Sequence, residues 1–255
     1  MGILDQLPAW AVVIGIALLW VGLAVGLLLL VRRFVAVERL EPHNDVSGFV
    51  FAGVGVVYAV LLAFLVIGVW EGYEEQRRII DSEAGHLVTV HRLAGMIEGA
   101  DATKAATRAY AESVIRDDWP AMRSGRLSGD ADAAFHEIAM EATRVPAFST
   151  GGGWADLYVN DLHELRMART ARATAVASSL PGVLWLVLVL GGAIAVGYVV
   201  LYGMRNLLLH VILTAAFAAL VGLSVGVVVV LDAPYRGPDG IPPDAFLRAI
   251  ERMEP

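Results

Sequence analysis

Residues 46–70 read VSGFVFAGVGVVYAVLLAFLVIGVW, and this stretch decides the fold. It contains no Asp, Glu, Lys or Arg, and Glu71, Glu74, Glu75, Arg77 and Arg78 follow at once. The hydrocarbon core of a bilayer, about 30 Å thick, needs about 20 apolar helical residues to cross it. The stretch meets that requirement and reads as a membrane-spanning helix. No proline occurs from Val46 to Ile97. The helical pattern therefore predicts one unbroken helix from the second span out to about Ile97.

Three other stretches have the same character. One runs from Pro8 to Val31 and is closed by Arg32 and Arg33. Another runs from Ala173 to Met204, between Arg172 and Arg205. The last runs from Leu207 to Leu231 and is closed by Asp232. None carries a charged residue. Before the first span, Met1 to Leu7 holds Asp5 and no Lys or Arg, and the apolar run exceeds a signal-peptide h-region. It is expected to stay in place as a span. Trp10, Trp70 and Trp185 fall near the expected interfaces, where indole rings prefer to sit.

The composition agrees. Of 255 residues, 57% are hydrophobic and 18% charged, and the mean hydropathy is +0.65. Soluble domains are about 45–50% apolar and about 25% charged. The absence of cysteine excludes disulfides, thiolate metal sites and cysteine nucleophiles. A net charge of −7 excludes a basic nucleic-acid footprint. Lys104 is the only lysine, and no phosphate-binding motif surrounds it.

Between the second and third spans lie residues 71–172, which are polar-rich and helical in period. Helices are expected after an Asp101 cap, after a bend or fresh start at Pro120, after an Asp130 cap and from Trp154. Ser149 to Gly153 reads as a loop, and Pro181 as a kink where the last of these helices runs into the third span. Leu87, Phe135, Ile138, Leu157 and Leu165 are the expected apolar seam. The fold class is thus all-α: four transmembrane helices with a helical extramembrane bundle between spans two and three. The expected division is 1–70 (spans one and two), 71–172 (extramembrane region), 173–231 (spans three and four) and 232–255 (tail). Near the span ends, Arg77, Arg78, Arg166, Arg169, Arg172 and Arg236 outnumber Arg32, Arg33, Arg39 and Arg205. This favours a cytoplasmic central region.

Catalytic signatures are weak. Glu83 and His86 form an E-x-x-H pair, one of the two that a di-iron ligand set needs beside two further carboxylates, and no second copy occurs. A solvated or bundle-edge pair is the plainer reading, so no metal or other cofactor is expected and Glu83 and His86 are the weak candidates. No carboxylate accompanies His210 and the hydroxyls of Ser178, Ser179, Thr214 and Ser224 inside the membrane. These hydroxyls are expected to bond helix backbone rather than serve an enzyme. Proton-coupled transporters and voltage sensors need intramembrane charge, which is missing here; an apolar or small-residue pore does not.

Within the second span, Gly48, Ala52, Gly55, Ala59 and Ala63 form a small-residue face, and Phe51, Tyr58 and Leu62 the adjacent one. The small face suits close helix packing. The same eight residues are the candidates for lining a pore between subunits. Glu71, Glu74, Glu75, Arg77 and Arg78 would then stack as acidic and basic layers at its mouth, with Glu74 and Arg78 spaced as an i,i+4 pair.

The runs Gly48-Phe49-Val50-Phe51, Tyr58-Ala59-Val60-Leu61-Leu62-Ala63-Phe64 and Val69-Trp70-Glu71 resemble the second span of a bacterial membrane family labelled bestrophin-like. So do Glu83-Ala84, Arg169-x-x-Arg172 before Leu180-Pro181-x-x-Leu184-Trp185, Leu231-Asp232-x-Pro234-Tyr235-x-Gly237, and Pro243-x-x-Phe246. Bestrophins are pentameric anion channels with four spans per subunit and a cytosolic helical region. The resemblance implies a homo-oligomer, a pentamer in that arrangement, in the bacterial inner membrane. Its partners would be the lipid bilayer, copies of itself and ions, with chloride the leading ion. The calcium-sensing acidic cluster of bestrophins has no counterpart here. Charge leaves selectivity open: acidic residues at one mouth favour cations, whereas Arg32, Arg33 or Arg205 at the other favour anions.

Overall fold

The computed structural model describes residues 7–146 and 153–254. Among these residues there are helices and no strands. The helices are α1 (Ala9–Phe34), α2 (Val37–Leu40), α3 (Asn44–Ala94), α4 (Asp101–Ser113), α5 (Trp119–Met122) and α6 (Gly129–Thr143). They continue with α7 (Trp154–Ala177), α8 (Gly182–Val200), α9 (Leu207–Leu231) and α10 (Asp244–Met253). Among the described residues, four helical segments are long and apolar enough to cross a membrane. As the lack of proline predicts, α3 runs unbroken for 51 residues through Trp70 and Glu71, and it ends at Ala94. The protein is an all-α membrane protein.

Contacts divide the chain into two units. One holds residues 1–72 and 179–239, the other residues 73–178 and 240–255. In the first, α1 and α9 pack through missing side chains. A Cβ on Gly222 would stand 2.7 Å from Ala17 Cα, and one on Gly226 2.9 Å from Val13 Cα. Apolar lipid offers little reward for burying apolar surface, so close backbone approach supplies the attraction. Leu28, Tyr58, Leu188, Ala195, Ala218 and Val228 form the core. Connections are tied by polar side chains on backbone. Asn44 donates to Gly203 O at 3.0 Å and accepts from Gly203 N at 2.8 Å. Asp232 accepts from Leu180 N at 2.7 Å.

In the second unit, the core gathers Leu87, Val90, Tyr110, Ile138, Tyr158, Leu165 and Phe246. Several local expectations shift. Asp101 is the first residue of α4 rather than its cap, which is Ala100 without a side-chain bond. Ser128, not Asp130, caps α6, its hydroxyl accepting from Asp130 N. Pro120 does not start the helix afresh. Val114–Asp118 forms a π turn that leads straight into α5. A proline displaces the carbonyl four residues earlier, and a wider turn accommodates it. The helix from Trp154 stops at Ala177 instead of kinking through into the span, and α8 starts afresh after Pro181. Four of the expected seam residues are buried; Leu157 is 49% exposed, and its neighbour Tyr158 is buried instead. The loop expected over 149–153 lies outside the described residues except for Gly153.

Candidate functional site

The membrane half of α3 presents two different faces. Tyr58 is buried and donates to Leu188 O at 3.2 Å. Its ring lies where a Cβ on Gly191 would come within 2.7 Å. Phe51 meets Phe217 edge-on at 5.6 Å and Tyr198 at 6.4 Å, and Leu62 packs on the same core. Gly48 gives room to Tyr202, whose hydroxyl would sit 2.6 Å from an added Cβ. Gly55 is half-buried. On the other face Ala52, Ala59 and Ala63 are exposed within this chain, alongside Phe49, Val56, Val60 and Phe64. The sequence-selected residues therefore divide between an inner, aromatic side and an outer, small-residue side.

Beyond Trp70 the charges pair along α3. Arg77 meets Glu74 at 3.7 Å and Arg78 meets Glu75 at 3.0 Å. Both pairs are i,i+3, so the expected i,i+4 pairing of Glu74 with Arg78 gives way to this register. Among the described residues, Glu71 has no ion-pair partner.

The second unit contains a buried cluster of charge. Glu83 and Arg172 are fully buried and joined at 2.6 and 3.1 Å. Arg172 also reaches Asp118 at 2.8 Å, and Arg169 reaches the same carboxylate at 3.2 Å. The Tyr110 hydroxyl donates to Glu83 Oε1 and accepts from Arg169 at 3.1 Å. Asp118 further accepts from Ser128 N at 2.6 Å. Guanidinium planes lie over rings: Arg169 over Tyr110 at 5.4 Å, Arg172 over Phe246 at 5.8 Å. Two carboxylates and two guanidinia balance, which is the condition for charge to sit away from water. Burial works against the charge of Arg172, but the facing Glu83 carboxylate holds its pKa well above the ordinary value. Burial first, and Glu83 second, push the Tyr110 phenol upward, so it stays a donor.

This cluster removes Glu83 from metal chemistry. The solvated or bundle-edge reading of the E-x-x-H pair fails for Glu83, which is fully enclosed. His86 turns elsewhere and meets Asp161 at 3.2 Å. No group of three potential metal ligands occurs among the described residues. Sequence reasoning missed Tyr110 and Asp118, and it noted Arg169 and Arg172 only as a motif and as charges near a span end. The available signal was Glu83 itself. It sits three residues after Ile80 and four before Leu87, on the buried stripe of α3, where a carboxylate requires a cation.

The model of the Bestrophin-like domain matches residues 18–246 of this sequence. The chain belongs to the Bestrophin-like family. Solved structures with a similar fold include a bacterial bestrophin homologue from Klebsiella pneumoniae. It has a TM-score of 0.69 at 14% identity, covering 94% of this chain and 96% of that one. Two point variants of that homologue give a TM-score of 0.70 at 13% identity; they cover 92% and 93% of this chain, and 96% and 98% of theirs. Among curated proteins no sequence matches. In this Bestrophin-like chain the motif Arg169-x-x-Arg172 thus has a physical role: both arginines hold Asp118, and Arg172 holds Glu83 as well.

Proposed function

We propose that this chain is one subunit of a homo-oligomeric ion channel in the bacterial inner membrane, with the membrane half of α3 lining the pore. The supporting observation is the outer side of α3. Ala52, Ala59 and Ala63 are small, apolar and uncovered within the chain. Four uncharged spans make a poor conduit by themselves, so the conduit lies between copies of the chain, five in the bestrophin arrangement. Ala52, Ala59 and Ala63 would set its width. Gly48, Phe51, Gly55, Tyr58 and Leu62 back the same helix from inside the bundle. Glu71, Glu74, Glu75, Arg77 and Arg78 would form the mouth on the cytoplasmic side. Because Glu74 and Glu75 are neutralised by Arg77 and Arg78, only Glu71 opposes anion entry there. Membership in the family favours anions, with chloride first.

Flux through liposomes containing purified protein tests this reading. Wild type is expected to pass chloride above the protein-free background. Ala59→Trp should abolish flux with the assembly intact by size-exclusion chromatography, and Glu71→Gln should raise the chloride-to-sodium permeability ratio. Background-level flux for wild type would end the channel reading. A non-conducting scaffold whose helical region binds a partner would then replace it.

A further inference from the structure

The Arg169 end of the charge cluster opens into a cleft of about 840 Å³ between α6 and α7. Pockets for small organic ligands span about 300–1,000 Å³. One wall carries Asp132 and His136, an i,i+4 pair on α6. The other carries Arg166 and Thr170, an i,i+4 pair on α7, with Arg169 between them. Leu127 and Ala173 supply an apolar surface.

The charges can be counted residue by residue. Arg169 and Arg172 are balanced by Asp118 and Glu83. Asp132, 78% exposed, reaches only Arg169 among the described residues, at 3.4 Å. Arg166 has no carboxylate partner among the described residues. Its guanidinium lies 5.9 Å from the centre of the Phe135 ring, which holds the plane in place. A fixed guanidinium fork with no acceptor suits a planar carboxylate, which it can grip through two parallel bonds. A dianion such as phosphate would meet Asp132 across the same cleft.

We propose that this cleft binds a small monocarboxylate with an aromatic or branched apolar body, the carboxylate on Arg166 and the body on Leu127 and Ala173. The inference does not depend on conduction. Isothermal titration of the purified full-length protein in detergent tests it, with benzoate as the probe and benzamide as its neutral isostere. Benzoate should bind saturably and benzamide at least tenfold more weakly. Arg166→Gln should weaken benzoate at least tenfold while leaving the melting temperature unchanged, because Arg166 is exposed. Arg144→Gln, at the far end of α6, should bind as wild type. Absence of saturable benzoate binding, equal binding of benzamide, or full affinity in Arg166→Gln would each overturn the proposal. Inorganic phosphate binding more tightly than benzoate would overturn the monoanion assignment.

Discussion

Helices in the membrane unit meet where side chains are missing, whereas those of the other unit meet where charges are present. Gly222 and Gly226 bring α1 and α9 together, and polar groups in that unit bond mostly to backbone. In the second unit Glu83, Asp118, Arg169 and Arg172 bind side chain to side chain. The surrounding solvent explains the difference. Lipid gives apolar surface nothing to escape from, so van der Waals contact must bring helices together. Water drives apolar burial, and a balanced charge cluster can be carried inside, where it fixes which helices pair.

The sharpest way to break this contrast is to remove one charge. Glu83→Ala leaves two guanidinia facing one carboxylate and should cost about 3–5 kcal/mol of stability. Glu83→Leu combined with Arg172→Met restores the balance and should recover most of that loss. Urea unfolding of the three proteins in micelles reads both effects. A single-variant loss below about 1 kcal/mol would show that the cluster does not hold the bundle.

In the membrane unit the harmful change is an added side chain. Gly222→Leu inserts atoms where a Cβ would already be 2.7 Å from Ala17 Cα, and overpacking of this kind costs about 1–3 kcal/mol. Gly26→Leu, on a surface of α1 with nothing within 4 Å, should be close to neutral. Unfolding in increasing SDS compares them, and equal effects would refute the close-approach account. Tyr58→Phe deletes a single buried neutral hydrogen bond and should cost about 0.5–1.5 kcal/mol in the same measurement.

The smallest effect is a slope. His91 is buried, its Nδ1 donating to Thr107 Oγ1 at 2.8 Å while the Thr107 hydroxyl donates to Lys104 O. Burial first, and the nearby Lys104 cation second, lower its pKa from 6.5. The unfolded chain binds the proton more readily than the folded one, so this contribution to stability is present above about 6.5 and is lost as the pH falls from there through the lowered folded-state value. His91→Asn should therefore lose less stability than wild type between pH 7 and pH 5 in parallel urea titrations. Identical slopes would refute it.

The spans were legible because hydrocarbon demands long uncharged runs, and the unbroken α3 because proline is absent. The seam was legible where it is made of leucine, isoleucine and phenylalanine. It held at Leu165 and failed at Leu157 on α7, whose buried positions are Ala155, Tyr158, Leu165, Arg169, Arg172 and Val176. Counting apolar residues passes over the two arginines and selects Leu157 instead. The pairing of Arg172 with Glu83 across 89 residues is a tertiary fact that no local pattern contains. The π turn that carries Asp118 inward follows from Pro120 only once the preceding helix is known to continue. At the pore candidates, small residues were visible in the sequence, but which of them the bundle would cover depended on Tyr58 fitting Gly191 on another helix.

The Arg172–Phe246 contact has a consequence for the order of assembly. Phe246 belongs to α10, which follows all four spans in the chain, yet it covers a guanidinium that must also satisfy Glu83 on α3. The ring that covers Arg172 is therefore synthesised after α8 and α9. A chain ending after Gly240 should be cut more readily between α5 and α6 by limited proteolysis, whereas equal resistance to cleavage would show that α10 does not protect the cluster.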